Sequence, residues 1–238
     1  MKKILFLVAA MCCTMLASVY ATDLSDNAVI KVGATTVTDE NKGDILGDGK
    51  VSYDPTSHTL YLADKAKVEG GLSIEAKGTY GVTISVSGYA SITSNSHALQ
   101  YVGYNPGYPL TITGNHEANL TVRTNASPYD AVAILCAKAP TSLKDDTYTL
   151  KVNGGMRLNV ANDWSGKYEA IVCNHLEFDH VTVAITAPSG EDAAKCLDDE
   201  KNSFVKTASC MYDDNEVTFY KYDKAYPVII DGYALSYL

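Results

Sequence analysis

The chain has 238 residues, a formal charge of −9, and 46% apolar residues. That length and apolar content can bury one sizeable core, which excludes a disordered polymer and a minimal disulfide-held scaffold. Acidic residues outnumber basic ones and the only arginines are Arg123 and Arg157, so no basic stripe exists to neutralise phosphates. Nucleic acid and anionic membrane surfaces are poor partners on those electrostatic grounds, and neither is expected.

The first element in the chain reads as an export signal. Lys2 and Lys3 supply a positive start, Ile4 to Val19 form an apolar run broken only by Thr14 and Ser18, and Val19-Tyr20-Ala21 offers small residues for cleavage. The run is shorter than the roughly 20 residues of a membrane span and has no basic stop behind it. The expectation is cleavage after Ala21, with no transmembrane anchor once residues 1–21 are removed. The mature chain, 22–238, is then secreted, extracellular or at the cell surface, with the periplasm as the alternative destination. Its charge becomes −11 on losing Lys2 and Lys3.

A single domain follows, read as N-terminal cap strands over 22–68, repeated units over 69–188 and a C-terminal cap over 189–238. In the front cap, Val29 to Val37 and Val51 to Leu62 read as strands, joined through Asp48-Gly49. The body then repeats short alternating apolar and polar runs in groups of three. One group is Leu72 to Ile74, Val82 to Val86 and Ser91 to Thr93. The next is Ala98-Leu99, Leu110 to Ile112 and Leu120 to Val122. A third is Ala131 to Ile134, Leu150 to Val152 and Leu158 to Val160. The fourth is Ala170 to Val172, Leu176 to Phe178 and Val181 to Ile185.

Gly88, Gly114 and Gly154 each follow a second strand, where a sharp corner needs positive φ. Asn95, Asn125 and Asn162 each follow a third strand and read as equivalent corners, since Asn tolerates the left-handed region. Three short strands per unit with sharp corners predict a short all-β, right-handed parallel β-helix of about four rungs with atypical caps. An antiparallel β-sandwich is the alternative, although two-residue Asn-Gly or Asp-Gly hairpin loops are missing from the repeat. In the back cap, 190–205 has the polar composition of one short helix, and Val217 to Phe219 and Val228 to Ile230 read as strands.

Four cysteines survive processing, and an even number in an exported chain suggests disulfides. Cys136 and Cys173 lie late in the first strands of successive units, read as two residues out of register. Cys196 and Cys210 bracket the helical stretch. The pairs expected are Cys136–Cys173 and Cys196–Cys210.

The wording of Val32-Gly33-Ala34-Thr35-Thr36-Val37-Thr38, of Asp44 to Asp54, and of Thr59-Leu60-Tyr61-Leu62 resembles the opening of secreted repeat proteins from gut anaerobes. Their bodies resemble the pectate-lyase-like β-helix superfamily, and some members resemble carbohydrate-binding modules. The resemblance extends in pattern over most of the mature chain, and it implies a β-helix, export and a carbohydrate-binding type of module.

Several residue sets could carry chemistry. His97, Asp130 and Glu169 each precede the alanine that opens a unit, so they would form a column. Rungs about 4.8 Å apart would set Asp130 and Glu169 near the separation of a retaining glycosidase's carboxyls. The plainer account is three solvent-facing residues at strand starts. Asp44 and Asp48 match a calcium loop only in part, because Leu46 and Pro55 fill ligand positions, so a turn is expected. His175, Glu177 and Asp179 share one strand face and suit a metal or a polar outer face equally. No metal and no cofactor is assigned.

Tyrosine is the compositional outlier, with 17 against four Phe and one Trp. Tyr101, Tyr104 and Tyr108 crowd a Gly/Pro/Asn loop, and Trp164 and Tyr168 occupy the corresponding region further on. Rings with polar tips can stack on sugar faces while the hydroxyl hydrogen-bonds ligand or water. These five are the expected ligand-binding residues. The function expected is a non-catalytic exported module that binds glycan or another surface ligand. The alternatives are a polysaccharide lyase or glycoside hydrolase using Asp130 and Glu169, and a structural or adhesive surface protein.

Overall fold

Alternation of apolar and polar side chains places one face of each short segment in an apolar interior, and the chain obeys it closely. In the computed structural model every helix is absent from the described residues, which are 28–103, 108–125, 131–138, 149–163, 170–173, 175–186, 194–196, 211–212, 215–216, 228–230 and 233–234. They form strands and turns only, so no helix there is long and apolar enough to cross a membrane.

The body strands fall into triplets. The first is β6 (Leu72–Ala76), β7 (Val82–Val86) and β8 (Tyr89–Ser94). The second is β9 (Leu99–Gly103), β10 (Leu110–Gly114) and β11 (Asn119–Thr124). The third is β12 (Ile134–Lys138), β13 (Thr149–Asn153) and β14 (Arg157–Asn162), and the fourth is β15 (Ile171–Cys173), β16 (His175–Asp179) and β17 (Thr182–Thr186). Each strand pairs in parallel with its counterpart one triplet on, giving three sheets through which the chain passes in rotation. Parallel pairing throughout the triplets replaces the antiparallel sandwich alternative.

Register turns the alternation into columns. Leu72, Leu99, Ile134 and Ile171 align in the first sheet, Ile84, Ile112, Val152 and Phe178 in the second, and Ile92, Val122 and Val160 in the third. These residues are buried and belong to one shared hydrophobic cluster. A one-residue slip in any strand would turn its apolar set outward, which is why the burial pattern pins the pairing.

Three connections repeat in each triplet, and they differ. Between the second and third strands the chain needs only 87–88, 115–118, 154–156 and 180–181. Gly88 and Gly154 take positive φ there, +70° and +91°. Gly114 does not, and it is small for another reason: a Cβ would stand 2.8 Å from the Val86 carbonyl oxygen. The proposed Asn corners are not all equivalent. Asn162 aligns with Ser94 and Thr124 at a buried strand end, so the position after it, Asp163, matches Asn95 and Asn125.

The front cap covers the open end of the first sheet. β1 (Ala28–Val32) lies antiparallel on β6, with Ile30 opposite Ile74, and β2 (Thr35–Thr36) folds back on it. β3 (Val51–Asp54) and β4 (Thr59–Leu62) form an antiparallel hairpin. Parallel stacking already begins at β4, which pairs with β7, and at β5 (Ala66–Glu69), which pairs with β8 and which the repeat pattern left inside the cap.

At the back, β18 (Ala194–Cys196) replaces the expected helix and adds in parallel to β15. β19 (Met211–Tyr212) and β20 (Asn215–Glu216) pair antiparallel, β21 (Val228–Ile230) extends the third sheet, and β22 (Tyr233–Ala234) pairs back on it. The expected strand at Val217 to Phe219 lies outside the described residues, as does the export segment.

The cysteines correct the disulfide expectation. Cys136 and Cys173 form no disulfide and are fully buried, and they stand directly in register rather than two residues apart. In-register neighbours keep their Cβ atoms near the ladder spacing of about 4.8 Å, beyond the 3.5–4.5 Å or so that a disulfide needs. Cys196 is in register with Cys173, extending the line, while Cys210 lies outside the described residues.

Candidate functional site

Of the residues expected to bind or catalyse, the structure describes His97, Tyr101 and Tyr108. Leu99 aligns with Ile134 and Ile171, so Ala133, not Ala131, matches Ala98 and Ala170. The positions one residue earlier are His97, Val132 and Glu169, and Asp130 falls two residues out of that line. Asp130 and Glu169 themselves lie outside the described residues. His97 accepts a hydrogen bond at Nδ1 from the Val132 amide, 3.2 Å away, which ties one corner to the next.

Of the aromatic set, Tyr101 is an inward residue of β9 and only 1% exposed. It aligns with Ile74 and Cys136, and its hydroxyl donates to the Tyr108 carbonyl at 3.1 Å, bridging the two ends of the loop. Its ring face is packed in the core rather than offered to a ligand. Tyr108 is half-buried. Tyr104, Trp164 and Tyr168 lie outside the described residues. Among the described residues the exposed large aromatics are Tyr61 on β4 and Tyr89 at the start of β8, neither of them in the expected set.

The remaining sets are absorbed by local bonds. Asp44 accepts from the Gly49 amide at 2.9 Å and Asp48 from the Lys50 amide at 3.0 Å, so both carboxylates close turns. Glu177 pairs with Lys151 across adjacent strands at 3.0 Å, and Asp179 contacts His180 at 2.6 Å. Among the described residues no three His, Cys, Asp or Glu side chains are placed to hold a metal.

The structure instead opens a groove at the corner from the third sheet to the first. Its lining is Glu69, Gly70, Thr93, Ser94, Asn95, Ser96 and Asn125, enclosing about 550 Å³. Its origin is a step in connection length. Only Gly70 and Gly71 join β5 to β6, whereas 95–98 join β8 to β9 and 125–133 join β11 to β12. The short corner lies against the longer one at 95–98. Gly71 makes it possible: φ is +91°, and a Cβ would lie 2.8 Å from the His97 carbonyl oxygen.

The corner is stiffened from within. Thr124, fully buried, donates to the Ser96 carbonyl at 2.6 Å, and the Ser96 amide donates to Ser94 Oγ at 3.0 Å. Asn162 donates to the Ala131 carbonyl at 3.2 Å one unit on. The outward side chains are left over: Glu69, Asn95 and Asn125 are exposed and make no side-chain hydrogen bond or ion pair among the described residues. Beyond them Arg123, in register with Thr93, is paired to Asp163, whose hydrogen bond and charge raise the guanidinium's already high pKa. Rungs about 4.8 Å apart give the groove a length of roughly 10 Å along the stacking direction.

Amide, hydroxyl and carboxylate groups in a row offer both donors and acceptors at a fixed interval. Sequence reading found Asn95 and Asn125 but read them only as corner residues, and it passed over Glu69. The detectable signal was the lengthening corner above a Gly-Gly pair. Comparison with protein-family profiles, with curated proteins and with solved structures gives no match for this chain.

Proposed function

We propose that the chain is an exported, non-catalytic module, built as a right-handed parallel β-helix, that binds a glycan or another extracellular ligand at the Glu69–Asn125 corner. The helical winding is supported by the rotation of successive strands through three parallel sheets and by the right-handed preference of parallel crossovers. It agrees with the fold implied by the resemblance to pectate-lyase-like proteins. The observation that carries the binding site is the groove itself, with exposed Asn95, Asn125 and Glu69 side chains that have no partner among the described residues, set over a hydrogen-bonded base.

A polyhydroxylated ligand suits such a lining, because each amide can accept from one hydroxyl and donate to another. Tyr104, Trp164 and Tyr168 remain candidates for aromatic contacts in the loops, whereas Tyr101 serves packing. The test is a glycan array followed by affinity electrophoresis. An Asn95→Ala/Asn125→Ala double variant is expected to lose at least about tenfold in affinity, the worth of two hydrogen bonds. Wild-type binding by that variant, with an unchanged melting temperature, would remove the groove as the site.

A further inference from the structure

We infer that the groove selects a ligand carrying a cationic amine, set against Glu69, and that the class it takes is an amino sugar with a free amine. The inference rests on the groove being the ligand site and adds the chemistry that chooses among ligands. Among the described residues, Glu69 is the one charged side chain in the lining. It ends β5, is exposed, and has neither an ion pair nor a hydrogen-bond donor among the described residues.

Cations nearby do not answer it. Arg123 belongs to the same outward register column, Glu69–Thr93–Arg123, yet its guanidinium is engaged by Asp163 of the next unit. Lys67 is on the same outward face of β5, two residues back and beside Ser91, and makes no salt bridge with Glu69. The other lining side chains, Thr93, Ser94, Asn95, Ser96 and Asn125, are neutral hydroxyls and amides that match a sugar's remaining groups.

The net charge of −9 works in the same direction over longer range, drawing cationic ligands in and disfavouring anionic ones. A uronate or sialylated chain would bring a second negative charge to an uncompensated carboxylate. An ammonium would form an exposed ion pair there, the kind of contact that changes affinity by about fivefold or less and weakens with salt.

Titration calorimetry can compare glucosamine oligosaccharides with their N-acetylated counterparts and with oligouronates of equal length, below the amine's pKa, in low and high salt. The amine form is expected to bind about fivefold tighter than the N-acetyl form, and oligouronates weakest. High salt and Glu69→Gln should each erase the difference between the two forms. Equal binding of both forms, still lost in the Asn95→Ala/Asn125→Ala variant, would overturn the amine assignment and leave the groove intact. A preference that survives in Glu69→Gln would overturn it as well. Binding of neither form would end the amino-sugar class, with the groove itself decided by the wider glycan array.

Discussion

Cys136 shows how much a single position owes to the column it stands in. Its neighbours in the ladder are Tyr101 and Cys173, all buried, and burial pushes its thiol far above the ordinary cysteine range. A thiol held neutral and out of solvent is a poor nucleophile. Cys136 and Cys173 are therefore expected to resist a water-soluble thiol reagent in the folded protein and to react fully after denaturation. Fast reaction of either in native buffer, or a native mass lacking two hydrogens with these cysteines linked, would contradict the column. The same column explains why the disulfide was misread from sequence. Ala131, Val132, Ala133 and Ile134 are all buried, so this run carries no alternation to show which residue starts the unit. Shifting the start by two residues moves Cys136 from beside Cys173 to out of step with it.

At the scale of elements, the β3–β4 hairpin and the turn before β7 make a titratable corner. The His58 and Tyr80 rings stack with centroids 3.3 Å apart and planes 3° apart, and His58 Nδ1 is buried without a partner. Burial lowers the His58 pKa from 6.5, and burial first, then Tyr80 and Asp54, pushes Tyr53 up to about 12. Below pH 6.5 the unfolded chain binds a proton that folded His58 refuses, so stability falls as pH drops. Between pH 10 and about 12 folded Tyr53 keeps a proton the unfolded chain has lost, so stability falls as pH rises. Urea midpoints across pH should show a plateau with a decline at each end, and Tyr53→Phe should flatten the alkaline decline. An alkaline slope unchanged by that substitution would exclude Tyr53 as its source. Elements also mark what sequence pattern concealed. β5 offers only Ala66 and Val68 as inward residues, too few to stand out, and the Glu69 it carries was missed with it. The groove depends on unequal connection lengths, a property of the corners compared with one another rather than of any motif within them.

At the scale of the molecule, three sheets share one interior, so each triplet is supported by the next. Ile112 is fully buried midway along its sheet, between Ile84 and Val152. Ile112→Ala should cost about 2–5 kcal/mol, and the loss should appear as one lowered denaturation midpoint rather than as partial melting of the middle. A second transition in the variant would show that the triplets are energetically separate. The all-β character and the grouping in threes were legible because alternation over short runs reports a buried face directly. The handover from cap to body was less so, since β4 and β5 stack like body strands while β3 and β1 close the end.

The parallel ladders also give the molecule a mechanical grain. Their hydrogen bonds run from each triplet to the next, so drawing the two ends of the stack apart loads those bonds in tension, one triplet at a time. Drawing a single strand along its own length loads its whole ladder in shear. Pulled by its ends, the stack would yield triplet by triplet under a nearly constant force, and any molecule bridging Glu69, Thr93 and Asn125 would clasp successive triplets together.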